Sequence, residues 1–149
     1  MNKTRRPILF ATDFSTASRA ALAEAIGLSR ATGAPLLLVH VVVSPAPLTI
    51  EGAAFPQSFY ELEAEIRRDA SRRLQKLLQQ TRRRLPKTSA ALVRGVPHEE
   101  ILRLARSRRA RMIVAGTHGR TGLSRLVVGS VASRLVAGAS CPVLTVRGK

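Results

Sequence analysis

Cysteine, aromatic residues and long apolar runs are all scarce in this sequence of 149 residues. Its single cysteine, Cys141, has no partner for a disulfide, and the neighbouring residues suit a small buried side chain more than a reactive thiol. No apolar stretch reaches the roughly 18 residues needed to cross a bilayer. Asp13 interrupts the apolar run near the start before it reaches the length of a signal-peptide core. We therefore expect a soluble cytoplasmic protein with no membrane partner.

Several well-known site motifs are missing as well. The sequence contains no G-x4-G-K-[ST], and no G-x-G-x-x-G follows the first apolar run, which excludes a P-loop enzyme and disfavours the usual dinucleotide fold. His40, His98 and His118 have no metal-ligand spacing and no companion cysteine, and no serine, histidine and acid arrangement suggests a nucleophile. His40 is predicted to lie in the core and His98 at a solvated helix start, whereas His118 lies inside a glycine loop.

The charge is the most unusual bulk property. The chain has 25 basic and 9 acidic residues, a net charge of +16, and nearly all of the bases are arginines. One interpretation is nucleic-acid binding, since guanidinium groups contact phosphates in pairs of hydrogen bonds. The other is a compositional bias spread over helix ends, where cations complement the helix dipole, as at Arg82 to Arg84 and Arg106 to Arg111. The second interpretation is favoured, in part because aromatic residues make up only 3% of the chain.

Short apolar runs alternate with longer segments of helical periodicity. This alternation predicts one α/β domain over residues 1–149, with a mainly parallel sheet covered by helices. The five predicted strands are Ile8 to Thr12, Leu36 to Val43, Ser89 to Val93, Met112 to Gly116 and Val143 to Val146.

Four helices are predicted between these strands. The first is capped by Ser15 and ends at Gly33, and the second carries apolar residues from Phe59 to Leu77. The third opens with Pro97 in its first turn, and the fourth begins near Ser130. Residues 44–58 contain three prolines and no clear period, which predicts a long loop.

Ligands of open parallel sheets bind beyond the carboxyl ends of the strands, at the point where strand order reverses. Asp13 follows the first strand, and Gly116 to Gly119 follow the fourth. Asp13 can accept hydrogen bonds from a ribose or can serve only as a helix-capping residue. The glycine amides and the helix start at Ser130 can hold phosphates, or the glycines can simply form a turn.

The stretch "GTHGRTGLSRLVVGSVASRLVAGASCPVLTVR" resembles the carboxyl-terminal signature of the universal stress protein family, in its ATP-binding branch. Gly116, Gly119, Gly129 and Ser130 satisfy the G-x2-G-x9-G-[ST] pattern of that branch. "ILFATDFSTAS", "LLLVHVV" and "RGVPHEEIL" extend the resemblance over the whole chain. Ala11 stands where many members have proline, and Arg111 where many have aspartate.

The resemblance implies an open five-stranded parallel sheet in the order 3-2-1-4-5, a Rossmann-like fold of the adenine nucleotide alpha hydrolase type. It implies ATP binding, with Mg²⁺ or Mn²⁺ bridging the phosphates, and a homodimer through the last strand, Pro142 to Arg147. That segment is otherwise an ordinary edge strand. The nucleotide-binding residues implied by the resemblance are Ala11, Thr12, Asp13, Val41, Gly116, His118, Gly119, Gly129, Ser130 and Val131.

These expectations favour a nucleotide-dependent stress-response regulator or interaction module. A slow ATPase is the alternative from another class, with His118 as the one obvious general base near the phosphate loop. A nucleic-acid-associated basic protein is a third hypothesis.

Overall fold

The computed structural model of the chain describes residues 6–44, 55–117 and 128–148. Strands and helices alternate along these residues, as predicted. The strands are β1 (Ile8–Ala11), β2 (Leu36–Val42), β3 (Thr88–Arg94), β4 (Met112–Gly116) and β5 (Val143–Val146), and the helices are α1 (Thr16–Thr32), α2 (Gln57–Arg84), α3 (Pro97–Ser107) and α4 (Ser130–Gly138).

The strands form one parallel sheet in the order β3-β2-β1-β4-β5. Ile8 of β1 is in register with Leu36 of β2 on one side and with Met112 of β4 on the other. The strand order reverses between β1 and β4, so the two segments that follow these strands leave the sheet side by side. The predicted fold class and strand order are confirmed.

The sheet is buried on both faces, which explains why its central strands are continuously apolar rather than alternating. On one face, Leu9 and Ile113 pack with Leu135 of α4 and with α3. On the other face, Phe10 packs with Ile26 of α1 and Leu74 of α2. Helices therefore cover both faces, as predicted.

The helix boundaries follow local signals in the sequence. The Ser15 side chain caps α1 by accepting a hydrogen bond from the Ser18 amide at 3.2 Å, and Gly33, with a φ of 66°, ends that helix. Pro97 occupies the first turn of α3, where its missing N–H has no intrahelical partner.

The predicted loop over residues 44–58 is too long at its carboxyl end. Gln57 and Ser58 already belong to α2, which follows Pro56 directly. Proline disfavours a helical backbone at the preceding residue but is compatible with a helix that starts after it. Residues 45–54 of the predicted loop lie outside the described part of the chain.

None of the helices in the described segments is long and apolar enough to cross a membrane. Cys141 precedes β5 and packs, partly buried, at the border of the core beneath α3 and α4. Burial raises the pKa of its thiol above the usual value, and the nearby positive charge of Arg6 opposes that rise only in part. A protonated, packed thiol agrees with the predicted structural role.

Candidate functional site

A cavity of about 810 Å³ opens at the carboxyl edge of the sheet, at the reversal of strand order between β1 and β4. Its walls come from the ends of three strands, the turn after β1, the start of α4 and one face of α2. The lining includes Ala11, Thr12, Asp13, Phe14, His40, Val41, Leu62, Ile66, Asp69, Ala70, Arg73, Gly116, Thr117, Gly129, Ser130 and Val131.

Hydrogen bonds hold the turn after β1 in a defined conformation. The Phe14 amide donates to Thr12 Oγ1 at 3.0 Å, and the hydroxyls of Thr12 and Ser18 lie 3.0 Å apart. Phe14 itself has a φ of 64°, a left-handed conformation that is unfavourable for a residue with a side chain. The strained backbone is therefore sustained by local hydrogen bonding at the edge of the cavity.

Asp13 both stabilises the turn before α1 and forms part of the cavity wall. Its Oδ1 accepts a hydrogen bond from the Ser15 amide at 2.9 Å, which orders the turn that starts α1. The residue also lines the cavity. The two interpretations of this residue, capping and ligand contact, are thus compatible in one geometry.

The start of α4 approaches the end of β4 directly. The Gly129 amide donates to the Thr117 carbonyl at 2.6 Å, and Gly129 is the residue that precedes the helix. Gly129 offers no side-chain cap to α4. The first-turn amides of an α-helix have no intrahelical partners and attract anions. Ser130 and Val131, in that first turn, line the cavity.

Gly116 has a packing role in addition to the ligand contact predicted for it. A Cβ at this position would lie 3.0 Å from the Ala17 carbonyl carbon and 3.1 Å from the Ser18 amide nitrogen. The glycine is therefore required by close packing of the end of β4 against the start of α1. Gly116 also lines the cavity, and the approach of a ligand to its backbone stays a prediction.

Replacing Gly116 with alanine is expected to lower the free energy of unfolding by about 1 to 3 kcal/mol, because the backbone of α1 must shift to admit the methyl group. Urea denaturation measures the change. Gly27→Ala is the matched control: its Cβ meets nothing within 4 Å, and the helix should gain up to about 1 kcal/mol. Loss of nucleotide binding by Gly116→Ala at full stability would contradict the packing role.

One face of α2 forms a wall that the sequence did not lead us to expect. Leu62, Ile66 and Ala70 line the cavity with apolar surface, and Asp69 and Arg73 add charge. The spacing of three or four residues predicted a buried helix face, but it did not predict that this face contributes to the cavity wall. The position of α2 could have been predicted, because a helix that follows a parallel strand must begin at the carboxyl edge of the sheet.

Three side chains pack together at the junction of β1, β2 and α2. The rings of Phe14 and His40 have centroids 4.4 Å apart, and the guanidinium carbon of Arg73 lies 4.6 Å from the centroid of the Phe14 ring. His40 Nδ1 lies 2.7 Å from the carbonyl oxygen of Thr12. His40 therefore lines the cavity instead of lying in the core as predicted, since the last residues of β2 reach the open edge of the sheet.

His98 also differs from the prediction of a solvated residue. Only 17% of its side chain is exposed, and its Nε2 lies 4.0 Å from Glu99 Oε1. The first turn of α3 sits against the sheet edge, so the ring is largely covered.

Eight of the ten predicted binding residues lie around the one cavity: Ala11, Thr12, Asp13, Val41, Gly116, Gly129, Ser130 and Val131. His118 and Gly119 lie outside the described residues. Among residues 6–44, 55–117 and 128–148, no group of three or more histidines, cysteines or acids is placed to hold a metal ion.

An open parallel sheet with a cavity at its switch point defines a doubly wound α/β protein. Residues 4–147 match the model of the Universal stress protein family, and the chain belongs to that family. It is 34% identical over 145 residues to universal stress protein MJ0531 of Methanocaldococcus jannaschii, covering 95% of this chain and 82% of the relative.

Solved structures agree with this assignment. Universal stress protein UspA from Lactobacillus plantarum superposes with a TM-score of 0.84 at 27% identity, covering 98% of this chain and all of that one. Two more distant proteins share the fold. A universal stress protein from Archaeoglobus fulgidus, in complex with dAMP, has a TM-score of 0.66 at 22% identity and covers 96% of this chain and 98% of that one. A universal stress protein family protein from Arabidopsis thaliana, with AMP bound, has a TM-score of 0.68 at 20% identity. The match covers 97% of this chain and 92% of that one.

Proposed function

We propose that the cavity between β1 and β4 binds ATP, and that the protein is a nucleotide-dependent regulator or interaction module of the stress response. The observation that carries the proposal is the meeting of the Asp13 turn and the Gly129–Ser130 helix start in one cavity. A carboxylate that suits ribose hydroxyls and a helix start that suits phosphates are thus combined. Two relatives that share the fold have adenine nucleotides in their structures.

The dimensions and chemistry of the cavity fit such a ligand. Its volume of about 810 Å³ lies within the range of small-molecule sites, which are mostly apolar with a few polar groups. Val41, Ile66 and Ala70 offer an apolar surface to a base. We assign ribose contact to Asp13 and phosphate contact to the first turn of α4, since helix starts favour negative charge.

A divalent cation would accompany the phosphates in this proposal. Mg²⁺ usually keeps several waters and binds through one or two carboxylates together with substrate phosphates. Asp13 is the carboxylate closest in the chain to the β1 end of the cavity, and Asp69 lines the α2 wall. The ion would neutralise phosphate charge, and the proposal routes no chemical step through it.

Binding without rapid turnover is the form of the proposal that we favour. His40 lines the cavity, but its ring packs against Phe14 and its Nδ1 is directed to the Thr12 carbonyl, which suits a wall residue more than a general base. The alternative, slow hydrolysis with His118 as the base, concerns a residue outside the described segments.

The experiment for this proposal is a calorimetric titration of the purified protein with ATP, with and without Mg²⁺, alongside phosphate release under the same conditions. We expect saturable binding at one site per chain, stronger with Mg²⁺, and negligible phosphate release. GTP serves as the control ligand of equal charge. Absence of saturable ATP binding would overturn the proposal, and phosphate release that disappears in His118→Ala while binding survives would establish the enzyme instead.

We also propose that the chain forms a cytoplasmic homodimer through its last strand, Pro142 to Arg147. β5 is the final strand of the sheet and pairs with β4 on one side among the described residues. All four of its residues are partly exposed. An edge strand of this kind can pair with a second copy, and sedimentation of the purified protein measures the oligomeric state.

A further inference from the structure

Ten of the twenty basic residues in the described segments lie at the amino edge of the sheet, opposite the proposed nucleotide cavity. They lie before the strands and at the ends of α1, α2 and α3, and all are exposed. We call this group the amino-edge face; its members are Arg6, Arg30, Arg82, Arg83, Arg84, Lys87, Arg106, Arg108, Arg109 and Arg111.

Hydrogen bonds between neighbouring segments make this face continuous. The Leu36 amide donates to the Lys87 carbonyl at 3.2 Å and the Ile8 amide to the Pro35 carbonyl at 2.9 Å. The Arg111 amide donates to the Pro7 carbonyl at 2.7 Å. These bonds link the starts of β3, β2, β1 and β4. Since neighbouring strands lie about 4.8 Å apart, the face spans about 14 Å across the sheet, before the helices on either side widen it.

Some of these arginines also bind the backbone. Arg6 donates to the Arg109 carbonyl at 2.9 Å, Arg30 to the Arg84 carbonyl at 3.0 Å, and Arg82 to the Thr88 carbonyl at 2.9 Å. Within the described residues, the other seven side chains of the face form no hydrogen bond or ion pair.

Acidic residues are absent from this face within the described segments. The acids of α2 and α3 lie in the halves of those helices nearer the carboxyl edge, and every close ion pair of the described residues involves Glu63, Asp69, Glu99 or Glu100. Glu24 is the acid of α1, and it lies 8 residues before the helix ends at Thr32, or about 12 Å along the axis. The positive charge of the amino-edge face is therefore uncompensated.

Helix-dipole complementation accounts for only part of the face. It explains Arg30, Arg82 to Arg84 and Arg106, which lie in the last turns of helices. Arg108 is the C-cap residue of α3 and belongs with them. Arg6, Lys87, Arg109 and Arg111 lie beyond the helices and their caps. Four of the ten basic residues of the face thus need another explanation.

Arg109 follows α3 at a position where the backbone conformation favours glycine. Its amide donates to the Arg106 carbonyl at 3.0 Å, and the next amide, of Ala110, donates to the Ala105 carbonyl at 2.8 Å. This pair of bonds is the Schellman motif, whose left-handed position favours glycine. Arg109 occupies that position with a φ of 48°. A charged residue therefore stands where the backbone of the turn favours glycine.

We propose that the amino-edge face binds the phosphate backbone of double-stranded nucleic acid without reading its sequence. Nine of its ten members are arginines, whose planar guanidinium groups bind phosphates in pairs of hydrogen bonds. None of the five aromatic residues of the chain lies on it: Phe10 is in the core, and the others are near the carboxyl edge. A face without stacking side chains suits a duplex better than a single strand.

The test compares two triple variants of equal net charge. Arg83→Gln, Arg108→Gln and Arg111→Gln together remove charge from the amino-edge face, whereas Arg19→Gln, Arg68→Gln and Arg134→Gln remove it from exposed positions elsewhere. Fluorescence anisotropy with a labelled 20-base-pair DNA duplex is measured over a range of salt concentrations. The first variant is expected to bind at least about tenfold more weakly than the wild type at 0.15 M salt, with a salt slope smaller by about 2 to 3. The second should retain most of the affinity.

Arg109→Gly provides a second variant whose folding is not in question. Glycine relieves the left-handed backbone, so its unfolding temperature should equal or exceed that of the wild type, while duplex binding falls and the salt slope decreases by about 1. ATP titration of the same variants should be unchanged, which separates this proposal from the nucleotide site.

Equal loss of affinity in the two triple variants would show that the duplex is attracted by the overall positive charge of the protein. That result would overturn the proposal. The proposal would also be overturned if the protein bound a single strand of the same length, or phosphatidylserine vesicles, more tightly than it binds the duplex.

Discussion

Replacing Gly129 with leucine is expected to weaken ATP binding at least about 100-fold while the protein stays folded. Gly129 precedes α4 and lines the cavity, where its amide bonds to Thr117. A four-carbon side chain at this point would occupy the proposed phosphate position, and loss of about 3 kcal/mol of charge-assisted contacts corresponds to that change in affinity.

The backbone conformation of Gly129 allows this variant to affect ATP binding without disturbing the fold. Gly129 has a φ of −58° and a ψ of 154°, values that residues with side chains adopt freely. The unfolding temperature should therefore fall by no more than about 5 °C, as expected for a weakened helix start. Gly27→Ala, in the open surface of α1, is the matched control and should bind ATP like the wild type. Unchanged ATP affinity in Gly129→Leu would show that the start of α4 does not contact the nucleotide.

The second large effect is expected at Asp13. Asp13→Ala should weaken ATP binding by about 10- to 100-fold, because a hydrogen bond to a charged group contributes about 1.5 to 3 kcal/mol. It should also destabilise the turn, since the Ser15 amide loses its acceptor. Asp13→Asn keeps one oxygen for that amide, removes the charge and replaces the other carboxylate oxygen with an NH2 group. It should weaken ATP binding about tenfold at nearly wild-type stability.

A ligand without ribose hydroxyls tests whether Asp13 contacts the ribose. The wild type should prefer ATP over 2′,3′-dideoxy-ATP, and this preference should disappear in Asp13→Asn. Calorimetry gives the four dissociation constants of the cycle. If Asp13→Asn binds both ligands as tightly as the wild type does, the carboxylate serves only the turn before α1.

The fold could be predicted from the sequence because its signals are local. Ser15 and Gly33 bracket α1, and Pro97 opens α3, each through the backbone chemistry of a single residue. The central strands β1 and β4 are continuously apolar since both faces of the sheet are covered. Strand order, by contrast, has no local signal, and it was the family resemblance that supplied it.

Much of the cavity was predictable for the same reason, and the exceptions depend on distant contacts. Asp13 and Gly129 follow strand and loop patterns that can be read along the chain. The wall from Ile66 to Arg73 depends on how α2 lies over the sheet edge. Neither the contact of His40 with Phe14 nor the packing of Gly116 against Ala17 can be predicted from spacing, because each joins elements far apart in the chain.

The arginine distribution was visible in the sequence, yet its meaning depended on topology. In a parallel sheet every helix between strands runs back to the amino edge, so arginines at successive helix ends gather on one face. Dipole complementation was the favoured explanation for the sequence clusters. The left-handed conformation of Arg109 and the basic residues outside the helices and their caps go beyond it.

The identity of the nucleotide that the protein holds tests the central claim most directly. Freshly purified protein, and protein dialysed and then reloaded from an equal mixture of ATP, GTP, CTP and UTP, are denatured, and the released nucleotides are separated by chromatography. We predict an adenine nucleotide, close to one per chain after reloading, and little of any in Gly129→Leu. Release of another nucleotide in preference, or of none from the reloaded wild type, would contradict the account.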